Sequence, residues 1–242
     1  MRLLTLLGWG SLPVGRVYEG LINALQLINL FGTAEQATRA ATEARDERKL
    51  FAVWNTEGAK GIHLEPLGNG GVRLSGAKLY TSGAGWADRA IVPGALPDGG
   101  WQMCLVPLDQ VTTTIDRSVW RPLGMRASAS YRTDFTGVEL GPEALIGSPG
   151  AYHCQPWFSG GPIRFAAVQL GGAAALVDAA PSVAWSHVGS GIVSASVEII
   201  TPVRRSRVWK RREASSINNR RAVPTFASCC GRTRSMTCSV GS

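Results

Sequence analysis

Side chains that commonly carry chemistry are few and scattered in this chain of 242 residues. The three histidines, His63, His153 and His187, are dispersed, and each fits a surface or satisfied core position better than a catalytic one. Of the five cysteines, Cys104 and Cys154 stand far apart, while Cys229, Cys230 and Cys238 crowd the end with no C-x-x-C pair and no nearby histidine. That pattern lacks metal-ligand spacing and reads as free thiols in a reducing, cytoplasmic setting. The sequence contains no strand-linked G-x-G-x-x-G, no Walker loop, no G-x-S-x-G elbow and no H-E-x-x-H. Dinucleotide, nucleoside-triphosphate, hydrolase-elbow and zinc-protease chemistries therefore have no motif here.

The elements that could position a site fall into three textures. Residues 16–31 predict a helix, with Val17, Leu21, Leu25 and Ile28 at helical spacing and Tyr18 and Ile22 widening the face. Gly32 is placed to end it in the left-handed conformation. Thr33-Ala34-Glu35-Gln36 has the form of a capping box that opens a charged, surface-lying second helix running to about Lys49. Met1 to Leu12 reads as truncated helix or loop, with a faint signal-peptide look but no cleavage site. From Leu50 to about Ile146 the sequence becomes short apolar runs broken by turns. Ile62–Leu67 and Val72–Leu74 flank Gly68-Asn69-Gly70-Gly71, and Ala90–Leu96 and Trp101–Leu108 flank Pro97-Asp98-Gly99-Gly100, both hairpin signals. Tyr131–Leu140 alternates as one strand. These strands predict a small antiparallel barrel or sandwich, so the fold class is α+β.

Helix returns after Pro162, capped by Ser159 or Gly160, and is expected to stop at Pro181. Gly171-Gly172 would each cost a lone helix roughly 1 kcal/mol relative to alanine, so a close-packed neighbour is expected. No run reaches the roughly 18 apolar residues that span a bilayer, and no membrane association is expected. Residues 182–242 hold ten basic and two acidic side chains, which accounts for the whole net charge of +8; the first 181 residues hold fifteen of each sign. This stretch has no sustained period and cannot bury enough apolar surface to offset its ordering entropy. It reads as a disordered basic arm or as out-of-frame sequence. Nucleic-acid binding would rest on it alone, through residues 204–221.

Three segments of the middle region resemble the acyl-CoA dehydrogenase family. Phe51-Ala52-Val53-Trp54-Asn55-Thr56-Glu57 is similar to the family's strand ending in Thr-Glu. Leu74-Ser75-Gly76-Ala77-Lys78-Leu79-Tyr80-Thr81-Ser82-Gly83 is similar to its Gly-x-Lys-x-aromatic-x-Thr/Ser segment, and Pro122-Leu123-Gly124-Met125-Arg126-Ala127-Ser128-Ala129-Ser130 to its Gly-Met-Arg-Ala-Thr/Ser stretch. Arg164-Phe165-Ala166-Ala167 through Ala173 resembles the first helix of the family's C-terminal domain. The resemblance runs from about Gly8 to Ala180.

It implies a remnant of the N-terminal helical domain over 1–49, a flavin-binding β-domain over 50–148, a linker and first C-terminal helix over 149–181, and an atypical tail over 182–242. It implies FAD as cofactor, an acyl-CoA as substrate, an electron-transfer acceptor as partner and a homo-oligomer. Carried over by position, Thr56 lies beside the flavin pyrimidine with backbone contacts from Val53 and Asn55, Tyr80 packs on the ring, and Ser82 sets a hydroxyl near N5. Backbone donors and hydroxyls at that edge would raise the electron affinity of the flavin. The family's activity is α,β-dehydrogenation with hydride transfer to FAD; a flavin monooxygenase on the same scaffold and a basic nucleic-acid adaptor are the alternatives. Two departures matter. Gly58-Ala59-Lys60-Gly61 replaces the Gly-x-Gly-Ser-Asp loop that helps receive substrate, and nothing after Pro181 matches the helices that carry the glutamate base. The chain is thus expected to be bleached by an acyl-CoA poorly or not at all; a bright yellow protein that an acyl-CoA bleaches would contradict this.

Overall fold

A computed structural model describes residues 1–59 and 61–187, with side chains to Ala180. The basic stretch 204–221 and the three late cysteines lie outside the described residues. Helix α1 spans Arg2–Gly10, so the first residues are helical; α2 follows after Ser11 as Leu12–Phe31 and α3 as Ala34–Arg45. Pro13 sits in the first turn of α2, where its missing N–H costs nothing. The capping box forms as read: Gln36 N donates to Thr33 Oγ1 at 3.2 Å and Thr33 N to Gln36 Oε1 at 2.8 Å. Three expectations about these helices need correction. Helix α3 ends at Arg45, short of Lys49. Gly32 is extended rather than left-handed (φ −77°, ψ 170°). Its need for glycine is space, because a Cβ there would lie 2.6 Å from the Ile28 carbonyl oxygen. The inward face of α2 is Gly15, Glu19, Gly20, Ala24, Leu27 and Ile28, with Tyr18 outward. That rotation hides Glu19, whose carboxylate is held by Arg16 and Asn23.

Among the described residues ten strands follow: β1 (Phe51–Val53), β2 (His63–Pro66), β3 (Val72–Ser75), β4 (Ala77–Thr81), β5 (Arg89–Ala95), β6 (Trp101–Pro107), β7 (Thr114–Asp116), β8 (Tyr131–Asp134), β9 (Glu139–Leu140) and β10 (Leu145–Ile146). One sheet runs β10-β6-β5-β2-β3-β9 with β1 beside β5, and a second runs β4-β8-β7. Both predicted hairpins close, β2–β3 through Gly70 at φ +84° and β5–β6 through Gly99 at φ +84°. Pairing is antiparallel except for β1–β5 and β2–β5, which are parallel. Tyr131–Leu140 is not one strand. Asp134 Oδ1 accepts from Thr136 N at 3.0 Å and Gly137 adopts φ +90°, so the chain turns and β8 and β9 enter different sheets.

One core packs Trp54, Leu64, Leu74, Val92, Val106 and Phe135 within the β-unit. A second seats α2 on the sheet through Ala24, Ile28, Phe51, Ile91, Met103 and Ile146. Helix α3 is docked by a two-pronged ion pair, Arg89 Nε and Nη2 to the two Glu43 carboxylate oxygens, each at 3.0 Å. Planar, bidentate pairing of this kind fixes geometry as well as charge.

Helix α4 spans Trp157–His187. It begins before Pro162 and continues through Pro181, so both prolines lie inside it, each forfeiting one intrahelical bond. The helix Trp157–Ala180 is long and apolar enough, by length and composition only, to cross a membrane. Its two charges are engaged on the protein: Arg164 donates to Asn23 Oδ1, and Asp178 Oδ2 accepts from Trp9 Nε1 at 2.9 Å. The glycine pair meets the expected neighbours, Gly171 against α1 and Gly172 against the Leu12 side chain at the start of α2. A Cβ at Gly171 would lie 2.0 Å from the Thr5 carbonyl oxygen, and one at Gly8 would lie 2.1 Å from that of Val168. The two backbones touch, and only hydrogen-bearing Cα atoms fit between them. Gly171→Ala is therefore expected to cost about 2 kcal/mol by overpacking. Gly10→Ala, with open space around it, should be neutral or stabilising by up to about 1 kcal/mol. Thermal unfolding of the two variants checks this, and equal shifts would contradict the crossing.

Candidate functional site

The chain leaving β1 is stitched to β4 and to the turn after it. Trp54 N donates to the Ile91 carbonyl at 2.9 Å, closing the parallel ladder, and its buried indole Nε1 donates to the Ser82 carbonyl at 2.9 Å. Two residues on, the Thr56 carbonyl accepts from Leu79 N at 2.8 Å, and Glu57 bridges to Lys78. The segments around Thr56 and Ser82 thus lie side by side.

Lys78 is the fastening. Its side chain is wholly buried, and Nζ donates to the Asn55 carbonyl at 3.2 Å and to Glu57 Oε1 at 2.5 Å, above the Trp101 ring at 5.2 Å. Burial lowers its pKa below the ordinary lysine value, and the bond to Glu57 opposes that shift. The same carboxylate oxygen accepts from Ile62 N at 3.1 Å. The short turn before Ile62 wraps it closely: a Cβ on Gly61 would lie 2.1 Å from Glu57 Oε2. Cys104 sits nearby in the core, its thiol pushed up to about 12 by burial, and it is inert as a nucleophile.

Above this clamp lies a cluster of hydroxyls. Ser82 Oγ is 2.8 Å from Ser130 Oγ, which is 2.8 Å from Ser128 Oγ, which donates to the Met125 carbonyl at 2.9 Å. The three serines are 7, 3 and 0 % exposed respectively. The Ser128–Ser130 segment is strapped to the turn after β4 by Gly83 N to the Ser128 carbonyl at 2.8 Å. Ala129, at φ 44°, supplies the left-handed step between the two serines. Tyr80 also has positive φ, 52°, a costly conformation for an aromatic residue. It is 54 % exposed and meets Trp120 edge-on at 5.9 Å.

Of the residues expected at a site, the structure sets the segments of Thr56, Tyr80 and Ser82 side by side on one lip, with Thr56 and Tyr80 exposed and Ser82 turned inward onto Ser130. Asn55 is beside them, but its carbonyl is taken by Lys78, and its side-chain Oδ1 is buried with no hydrogen-bond partner among the described residues. Val53 pairs with Ile91 in the ladder and packs its side chain toward the α2 core. Four surface clefts among the described residues are lined by other side chains than Thr56, Tyr80 and Ser82. The lip is an open face. Lys78, Trp120, Ser128 and Ser130 were not read as site residues. Two serines two positions apart, in a segment already marked by resemblance, were the available signal for the last pair.

No known family profile matches the chain. It is 27 % identical over 153 residues to dibenzothiophene monooxygenase of Mycolicibacterium goodii, covering 59 % of this chain and 36 % of that protein. Its structure superposes on TdsC of Paenibacillus sp. A11-2, solved with FMN and indole, with TM-score 0.67 and 25 % identity over 74 % of this chain and 48 % of that one. It also superposes on butyryl-CoA dehydrogenase of Megasphaera elsdenii with TM-score 0.68 and 21 % identity, over 78 % and 53 % of the two chains. The chain spans about a third of the length of the curated relatives it matches. Its fold is acyl-CoA dehydrogenase-like.

The clamp has a pH signature. Glu57→Gln leaves the buried Lys78 ammonium without its anion and is expected to destabilise the protein by about 3 kcal/mol at neutral pH. The folded-state pKa of Lys78 already lies below its unfolded value and falls further in this variant, so the unfolded chain binds more protons. Stability should then rise as pH climbs from the folded pKa toward the unfolded one near 10.5. Urea unfolding at pH 7 and pH 10 measures it; a Glu57→Gln variant as stable as the parent at both values would show that the pair holds nothing.

Proposed function

We propose that this chain is the flavin-binding part of an oxidoreductase, and that the finer activity is flavin-dependent oxygenation. The single observation that carries the flavin reading is the convergence of the Thr56 and Ser82 segments through the Trp54–Ser82 and Thr56–Leu79 hydrogen bonds. A planar, acceptor-rich ring with an amide-like edge suits this lip. Thr56 offers a hydroxyl and Tyr80 an exposed aromatic face. The flavin, once bound, supplies the electron chemistry; the chain's own groups hold the ring and exclude water from one side of it. FMN and FAD are both compatible with these contacts.

Oxygenation is favoured by the curated relatives named for dibenzothiophene oxygenation and by the turn at residues 58–61. Gly61 lies against the Glu57 carboxylate, where a substrate-receiving Ser-Asp pair would be needed for a CoA thioester. The second reading, dehydrogenation of an acyl-CoA with transfer of electrons to a protein acceptor, is favoured by the likeness to butyryl-CoA dehydrogenase, which speaks for the fold. Anaerobic mixing with butyryl-CoA and, separately, supply of reduced FMN with oxygen and dibenzothiophene or indole distinguish the two. The oxygenation reading expects turnover, however slow, in the second only.

Flavin binding itself is tested on the full chain by fluorescence titration with FMN and FAD. Thr56→Val is expected to weaken binding by about fivefold, the worth of one hydrogen bond, with thermal stability unchanged. Flavin affinity unaltered by Thr56→Val and Tyr80→Ala together would remove the site from this lip.

A further inference from the structure

Helix α4 carries two apolar faces and uses one. Its inner face is spent on the protein: Gly171 meets the Thr5 carbonyl, Gly172 meets Leu12, Val168 is fully buried and Arg164 bonds to Asn23. The opposite face is bare. Ile163, Leu170 and Val177 are 59, 65 and 63 % exposed, and Ala166, Ala173 and Ala180 between and beyond them are exposed too. A helix that is apolar all round is ordinarily covered all round. The spacing of the bare face says what fits it. From Ile163 to Ala180 its residues recur at alternating intervals of three and four. That is the seam of one helix laid along another, narrower than the stripe that faces a globular core. The seam holds no charge, and its flanks Gln169, Ala174 and Leu176 are uncharged as well. Size alternates along it, each bulky residue being followed by an alanine. A lipid surface would require neither the spacing nor the alternation.

We infer that α4 pairs antiparallel with α4 of a second copy of this chain, through the seam from Ile163 to Ala180. One twofold axis, midway between residues 171 and 172, sets Ile163 against Ala180, Ala166 against Val177 and Leu170 against Ala173 all at once. Every bulky side chain then meets an alanine, and the two helices approach closely. A parallel pair would set large on large and alanine on alanine, leaving voids at every second layer. The antiparallel contact uses the same patch on both copies and closes on itself. The family resemblance implies an oligomer but no face; the seam, its direction and its register come from α4 alone and do not rest on the flavin reading. The overlap of about five turns is roughly 27 Å long. With the flanking Leu176, the two faces bury on the order of 1,000 Å², the size at which specific interfaces begin. A dissociation constant in the micromolar range follows.

Sedimentation equilibrium of the full chain, from low to high micromolar concentration, is the test. The parent is expected to pass from monomer to dimer across that range. Leu170→Lys and Ala173→Glu are each expected to weaken pairing by about tenfold or more, because each buries an unpaired charge in the seam. Both positions are exposed in the single chain, so the variants should fold, which circular dichroism checks. Mixing the L170K chain with the A173E chain should restore a mixed dimer, since the antiparallel register brings the two opposite charges face to face. Leu6→Lys, on the outer face of α1 and off the seam, should leave the dimer intact. A parent that stays monomeric, a dimer untouched by L170K and A173E, or a dimer lost in Leu6→Lys overturns the inference. So does a mixture that stays monomeric, because the register then fails. A monomeric parent that floats with phosphatidylglycerol vesicles overturns it in favour of a lipid-facing α4.

Discussion

A buried ammonium fastens two strand ends that would otherwise separate. Lys78 reaches across from β4 to the Asn55 carbonyl and the Glu57 carboxylate, and everything proposed for the site depends on that reach. An unpaired charge at full burial is costly enough that the pair must stay closed while the protein is folded. Closure sets Leu79 N against the Thr56 carbonyl, and this in turn places the Trp54 indole where it can hold the Ser82 carbonyl. One electrostatic contact thereby fixes the separation of two segments that are more than twenty residues apart in sequence.

Strain accumulates just where this fastening leaves the chain least freedom. Tyr80 and Ala129 both adopt left-handed backbone conformations next to the hydroxyl cluster. Each costs of order 1–3 kcal/mol unless the surroundings demand it. Here they do, since Tyr80 is caught between the Leu79 bond and the Ser82–Ser130 contact, and Ala129 must turn its two flanking serines toward one another. The helices contribute differently. Helix α2 seats on the sheet through its own core, and α1 and α4 meet backbone to backbone at Gly8 and Gly171.

Local chemistry was legible in the sequence, and long-range pairing was less so. The Thr33 capping box, the two hairpins and the need of Gly171-Gly172 for a neighbour could be read because each is set by residues a few positions apart. The inward turn of Glu19 could not, because although Arg16 and Asn23 lie on the same helix, the face that is buried is set by distant elements, among them Arg164, which bonds to Asn23 from a helix 141 residues away. Alternation over Tyr131–Leu140 hid a break, since the Asp134–Thr136 turn preserves the period while moving the chain to another sheet. Thr56, Tyr80 and Ser82 were found through resemblance; spacing alone would have left them as ordinary strand-end residues. Lys78 is marked in the sequence only as part of the Gly-x-Lys-x-aromatic segment, with no local sign of burial, and it is the most deeply buried charge in the middle region.

The central claim is that the two fastened strand ends form one flavin-holding face. Hydrogen exchange of the full chain, with and without saturating FMN, reads it most directly. Slowed exchange confined to the backbone amides of residues 54–57 and 79–83, with the Ser128–Ser130 strap following, is the result the account predicts. Protection that appears instead over residues 204–221, or over one strand end without the other, would contradict it.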